Sequence, residues 1–139
     1  MKTTSTPVPS TINLHRRSCT LEVVFDDRPY YLTAEYLRVF SPSAEVKGHG
    51  PGQEVLQLNK KKVAITGIEP QGNYAIKLIF SDGHDSGIYS WSYLKQLADN
   101  YDGNWTDYQS RVKTYLEQEE ERKKNEDVSP VKWITPDKT

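Results

Sequence analysis

The sequence predicts an α+β fold: a small antiparallel β-sheet of about five to six short strands, a short helix after strand 2, and two C-terminal helices. Three observations carry this. Apolar residues alternate at period two through the front of the chain. The links between the alternating runs are short and rich in Gly, Asp, Asn and Pro. After Ser90 the apolar spacing changes to that of a helix.

The elements follow in order. Residues 1–18 are rich in Thr, Ser and Pro and include His15-Arg16-Arg17. So polar a stretch is expected to be a mobile tail, because it buries too little apolar surface to offset its ordering entropy. Leu21, Val23 and Phe25 then share one face of a strand. Asp26-Asp27-Arg28-Pro29 reads as a turn, and Tyr30 and Leu32 start a second strand. Thr33 caps a short helix whose Tyr36, Leu37 and Phe40 lie on one side. The Gly-rich stretch from Ser41 to Gln53 reads as a loop.

Three more strands are expected at Glu54–Leu58, Lys62–Glu69 and Tyr74–Phe80. Pro70-Gln71-Gly72-Asn73 joins the last two as a hairpin. Asp82-Gly83 makes a second tight turn, and Ser86–Tyr89 returns as a short strand in which Gly87 marks a bulge or a close backbone approach. Ser90 caps the first C-terminal helix, with Trp91, Leu94, Leu97, Ala98 and Tyr101 inward and Gly103 as its stop. Asn104 caps the second, whose apolar stripe is Trp105, Tyr108, Val112, Tyr115 and Leu116. The domain is therefore placed at residues 19–118, followed by a charged, mostly disordered tail at 119–139. In that tail Glu119–Lys123 and Glu120–Lys124 are spaced as ion pairs, and Trp133 and Ile134 stand out as apolar.

Composition narrows the function. Net charge is −1, so the chain has no general electrostatic grip on nucleic acid. The Lys60-Lys61-Lys62 cluster reads as a solvated turn. No apolar run is long enough for a membrane span, and the N-terminus lacks a secretory apolar core, so a cytoplasmic protein is expected. Cys19 is the only cysteine, which excludes an internal disulfide and any cysteine-built metal centre within one chain. The histidines are His15, His49 and His84, with no ligand spacing among them. Cys19 follows two arginines that could activate its thiol, but it reads better as an ordinary strand-edge cysteine. No nucleophile elbow or phosphate-binding loop is present. No catalytic residue is assigned.

The run Gly72-Asn73-Tyr74-Ala75-Ile76, then Phe80-Ser81-Asp82-Gly83-His84-Asp85-Ser86-Gly87-Ile88-Tyr89-Ser90-Trp91, resembles the gamma-butyrobetaine-hydroxylase-like N-terminal domain family. Tyr36-Leu37-Arg38 and Ser41-Pro42-Ser43 fit the same pattern, and the likeness covers roughly residues 19–105. The family implies a small α+β domain. In the hydroxylases it precedes an iron- and 2-oxoglutarate-dependent oxygenase domain and holds zinc through three cysteines and a histidine. Here Ser41, Ser43 and Val46 stand at the cysteine positions, and His84 or its neighbourhood answers to the histidine. No metal or other cofactor is therefore expected. The oxygenase part is missing, so its activity does not carry over. Similar domains are joined to Mrp-type iron–sulfur carrier ATPases, which implies an accessory role in cluster delivery.

The leading expectation is a non-enzymatic interaction domain. Its surface would comprise Tyr36, Arg38, Ser41, Ser43, Asp82, His84, Asp85, Tyr89 and Trp91, and an Mrp-type ATPase is one candidate partner. The alternatives are a metal- or small-ligand-binding domain using His84, Asp82 and His49, and an enzyme centred on Cys19 or His84.

Overall fold

The structure is a computed structural model that describes residues 7–48, 50 and 52–128. It contains two three-stranded antiparallel sheets and four helices among the described residues, an α+β arrangement. The first sheet is β1 (Thr11–His15), β2 (Thr20–Phe25) and β3 (Arg28–Thr33), paired in chain order. The second is β4 (Ile65–Gln71), β5 (Ala75–Phe80) and β6 (Ile88–Ser90), also in chain order. The six strands thus divide between two sheets rather than joining in one.

In the first sheet Leu21 pairs with Leu32 and with Leu14, and Val23 with Tyr30 and Ile12. Leu21, Val23, Phe25 and Leu32 are buried. The β2–β3 turn is two residues long, and Asp26 and Asp27 both take positive φ (50° and 62°). That matches the right-handed twist of the flanking strands, and Asp tolerates it better than most residues.

Helix α1 (Ala34–Val39) starts at Thr33, whose hydroxyl accepts the Tyr36 N–H at 3.1 Å. A four-residue helix, α2 (Ala44–Lys47), follows. Gly48 ends it at φ +74°, where a Cβ would run into the Gln53 carbonyl, so only glycine fits. In the second sheet Ile65, Ile76, Leu78, Phe80 and Tyr89 are buried. The ladder β4–β5 shifts register between Ile65 and Gly67. Helix α3 (Trp91–Asp99) begins at Ser90, whose hydroxyl accepts the Tyr93 N–H at 3.1 Å, and it buries Leu94, Leu97 and Ala98.

The helix ends are closed by tyrosines. An α-helix leaves its last carbonyls without intrahelical partners. Tyr89 donates its hydroxyl to the Leu37 carbonyl of α1. Tyr93 donates to the Phe40 carbonyl at 2.7 Å, and Tyr36 to the Leu97 carbonyl of α3 at 2.6 Å. Burial pushes the Tyr93 hydroxyl up to about 12 and Tyr89 further, so both remain donors.

Four expectations are corrected. Residues 11–15 are a strand, not a mobile tail, because Ile12 and Leu14 alternate and pair with β2. Glu54–Leu58 joins no ladder. The break between the C-terminal helices falls at Asn100, whose N–H and side-chain amide both donate to the Gln96 carbonyl, so Gly103 lies inside α4 (Tyr101–Val128). The charged segment from Glu119 continues as helix to Val128, with Arg122 paired to Glu119 and Glu126 at 2.7 and 2.6 Å. Trp133 and Ile134 lie outside the described residues.

By compactness the chain divides into residues 1–104 and 105–139. In the second unit Trp105 and Tyr108 stack at 5.0 Å, and Tyr115 and Leu116 are exposed.

Replacing Tyr89 by Phe keeps the ring and removes the donor. The buried Leu37 carbonyl then loses its partner, at an expected cost of about 1–3 kcal/mol. Urea denaturation of the variant beside the parent chain checks this.

Candidate functional site

The site forms where the α1–α2 connection meets the β5–β6 turn. Ser41-Pro42-Ser43 leaves α1 in an extended path, and Ser43 occupies the N-cap position of α2 (φ −69°, ψ 157°). Its hydroxyl makes no cap bond and lies instead 3.4 Å from His84 Nε2. Ser41 Oγ lies 2.8 Å from the same nitrogen. On the other side of the ring, His84 Nδ1 is 3.2 Å from Glu45 Oε1. The ionised carboxylate can only accept, so it places the imidazole proton on Nδ1. Nε2 then accepts from the Ser41 hydroxyl. The ring is almost closed to solvent, with 4% of the side chain exposed.

A second network sets the turn. Asp82 Oδ1 accepts the His84 N–H at 3.2 Å, and Gly83 N–H reaches the Phe80 carbonyl at 3.0 Å. Asp82 Oδ2 takes Arg38 Nε at 2.9 Å and Lys60 Nζ at 2.8 Å. Arg38 Nη1 also donates to Gln57 Oε1 at 3.0 Å. Arg38 is buried, and a buried guanidinium left without its carboxylate would be costly. Asp82 therefore ties α1 to the turn and directs His84 inward.

The electrostatics follow. Partial burial raises the Asp82 carboxyl, yet Lys60, the His84 amide and Arg38 together hold it well below the usual carboxylate range. Burial and the Arg38 guanidinium lower His84 below its ordinary value, outweighing the Glu45 and Asp82 carboxylates.

Gly87 completes the site. A Cβ on it would run into Ser41 Oγ and crowd the Tyr89 ring and Pro42. Backbone must therefore pass close beside Ser41, the close approach expected at this glycine.

The structure brings Arg38, Ser41, Ser43, Asp82 and His84 together, but not as an open surface. Tyr36, Arg38, Ser41, Ser43, His84 and Tyr89 are buried, because each spends its polar group on an internal partner. Trp91 is half-buried and donates its Nε1–H to the Asn73 carbonyl at 2.8 Å. Asp82 and Asp85 reach the surface. The His84 ring turns inward rather than lying on the expected interaction surface. Glu45, Gln57 and Lys60 are partners that local sequence patterns did not reveal.

Among the other candidates, Cys19 sits in the β1–β2 turn at φ 54° with its thiol 3.8 Å from the Arg16 carbonyl. His15 lies on the exposed face of the first sheet, 2.8 Å from Glu22. His49 lies outside the described residues.

Ser41, His84 and Glu45 have the order of a nucleophile, base and orienting acid. Ser41, however, is 1% exposed, so its hydroxyl is closed to solvent in this structure. Nor does the donor set suit zinc. Two serine hydroxyls, a valine and one imidazole offer one good ligand where three thiolates and an imidazole would be needed. Among the described residues, no group of three or more His, Cys, Asp or Glu side chains could hold a metal.

The family model described as gamma-butyrobetaine hydroxylase-like, N-terminal, matches residues 12–95, and the chain belongs to that family. Two solution NMR structures are similar to it. One is 48% identical with a TM-score of 0.71 and covers 80% of this chain and 88% of its own. The other is 45% identical with a TM-score of 0.70 and covers 84% and 87%. A crystal structure of a protein of unknown function from Acidithiobacillus ferrooxidans, of the DUF971 family, is 34% identical with a TM-score of 0.53, covering 67% of this chain and 92% of its own. No curated protein matches the sequence.

Two outcomes follow from the geometry. Because folded His84 titrates below its unfolded value, the unfolded chain binds the extra proton as pH falls below about 6.5, and stability drops until the lower folded value is passed. Between about pH 7.5 and about pH 5 the parent should lose more Tm than His84→Gln, and parallel curves would contradict this. Gly87→Ala should destabilise by about 1–3 kcal/mol through overpacking against Ser41, measured by urea denaturation.

Proposed function

We propose that this chain is a non-enzymatic accessory domain that binds a partner protein. The observation that carries the reading is that its chemistry-bearing groups are spent on one another. Ser41, Ser43 and Glu45 engage His84, and Arg38 and Lys60 engage Asp82. Near this cluster in sequence, the exposed large apolar side chains include Tyr74 at 62% exposure and Ile88 at 45%. The Tyr74 carbonyl accepts the Trp91 backbone N–H at 3.0 Å. Aromatic side chains are the residue type that most often anchors protein interfaces. On this reading the docking surface uses exposed residues of the second sheet, Tyr74 before β5 and Ile88 in β6, with the half-buried Trp91, rather than the buried residues around His84.

An Mrp-type iron–sulfur carrier ATPase in the cytoplasm is the partner candidate, by analogy with domain architecture. Nucleic acid is disfavoured by the net charge of −1. No helix among the described residues is long and apolar enough to cross a membrane, and the reading invokes none. A metal-binding role is not favoured, since Asp82 already neutralises two cations.

The test is binding of the purified full chain to a purified Mrp-type ATPase, followed by calorimetry. Tyr74→Ser with Ile88→Ser should weaken binding at least about tenfold while thermal unfolding stays cooperative. Absence of measurable binding by the parent chain would remove this partner. Equal binding by the variant would remove this surface.

A further inference from the structure

We infer that β1 is a self-association edge, along which a second copy of this chain adds its own β1 in antiparallel pairing. Three observations carry this.

First, β1 is an unprotected edge. The edge strands of the two sheets are β1, β3, β4 and β6. Native sheets blunt their edges with proline, bulges or very short strands, because unpaired N–H and C=O groups invite another chain. β3 contains Pro29, β4 contains Pro70 and a register shift, and β6 is three residues long. β1 has none of these devices, and no residue from Thr11 to Leu14 is charged. Among the described residues β1 pairs with β2 alone.

Second, the register shows which backbone groups are left over. Phe25 and Arg28 flank the two-residue β2–β3 turn and form its closing pair. Alternation then turns the backbone groups of Leu21 and Val23 toward β3. Cys19 follows the same series, its carbonyl accepting the Ala34 N–H at 2.8 Å. Thr20, Glu22 and Val24 turn toward β1, and the Val24 carbonyl accepts the Ser10 N–H at 2.9 Å. Their partners His15, Asn13 and Thr11 therefore face β2. The N–H and C=O groups of Ile12 and Leu14 point outward.

Third, this edge complements itself. A two-fold axis at Asn13 sets Ile12 opposite Leu14 of the second copy, and Leu14 opposite its Ile12. Every outward backbone group then gains a partner. The half-buried Ile12 and Leu14 side chains pair with Val23 and Leu21 in their own sheet, so the two copies join apolar face to apolar face. Antiparallel pairing also carries Arg16-Arg17 to opposite ends of the seam, whereas parallel pairing would set them side by side. The product is one continuous sheet in the order β3-β2-β1-β1-β2-β3. The seam is short, so the dimer is weak and concentration-dependent.

The test is sedimentation equilibrium of the full chain from about 10 µM to about 1 mM. The average mass should rise from that of one chain toward that of two. Asn13→Lys places like charges across the axis and should shift association to at least about threefold higher concentration, with cooperative unfolding retained. Single cysteines in a Cys19→Ser background read the register. Opposed residues at a non-hydrogen-bonded pair have Cα atoms about 4.5 Å apart, within disulfide reach. Asn13→Cys should therefore form a disulfide dimer under mild oxidation. Thr11→Cys should not, since its two copies would lie about 13 Å apart. If Asn13→Lys fails to fold, the cysteine pair decides. A chain that stays monomeric at about 1 mM would overturn the inference, including the case in which a different protein supplies the added strand. So would undiminished association of folded Asn13→Lys, or equal cross-linking at residues 11 and 13.

Discussion

A buried imidazole must have both nitrogens satisfied, and in this protein that requirement joins two distant parts of the chain. His84 is almost fully buried, so its neutral ring needs an acceptor for Nδ1–H and a donor for Nε2. Glu45 and Ser41 supply them from the far side of the domain in sequence. Much else is arranged around this contact. Asp82 shapes the turn that carries the ring, Arg38 and Lys60 hold Asp82, and Gly87 leaves room for Ser41. Because one ring organises several segments, loss of any one partner is felt by the others.

Tyrosine hydroxyls apply the same economy of buried polar groups to the helices. The chain has nine tyrosines and modest numbers of aliphatic residues, so its core uses aromatic bodies whose polar tips must be paired. Helix ends offer the matching acceptors. Tyr36, Tyr89 and Tyr93 meet that need while filling space between the sheets and α1 and α3. A core of leucines would fill the volume but leave those carbonyls without donors.

Local pattern made much of the fold legible. The alternation of Leu21, Val23 and Phe25 and of Ile76, Leu78 and Phe80 marks strands with one buried face, and these are β2 and β5. Thr33 and Ser90 are caps because a short hydroxyl can accept an N–H one turn on. β1 was hidden because only Ile12 and Leu14 are apolar in a polar run, and its order comes from pairing with β2. The site was half legible: the family resemblance set Ser41, Ser43 and His84 side by side, and the fold does so too. Their burial was not legible. Arg38 with Asp82 and Glu45 with His84 are contacts across long sequence separations, where no period or spacing carries a signal. Polar residues between glycines look exposed until their partners are known.

The account turns on a neutral His84 whose hydrogen bonds join the α1–α2 connection to the β5–β6 turn. Long-range nitrogen–proton NMR of the ring measures this most directly. The account predicts a single neutral tautomer near pH 7, protonated at Nδ1 and bare at Nε2, with nitrogen shifts unchanged by EDTA. A doubly protonated ring at that pH, the opposite tautomer, or ring shifts that move on chelation would contradict it.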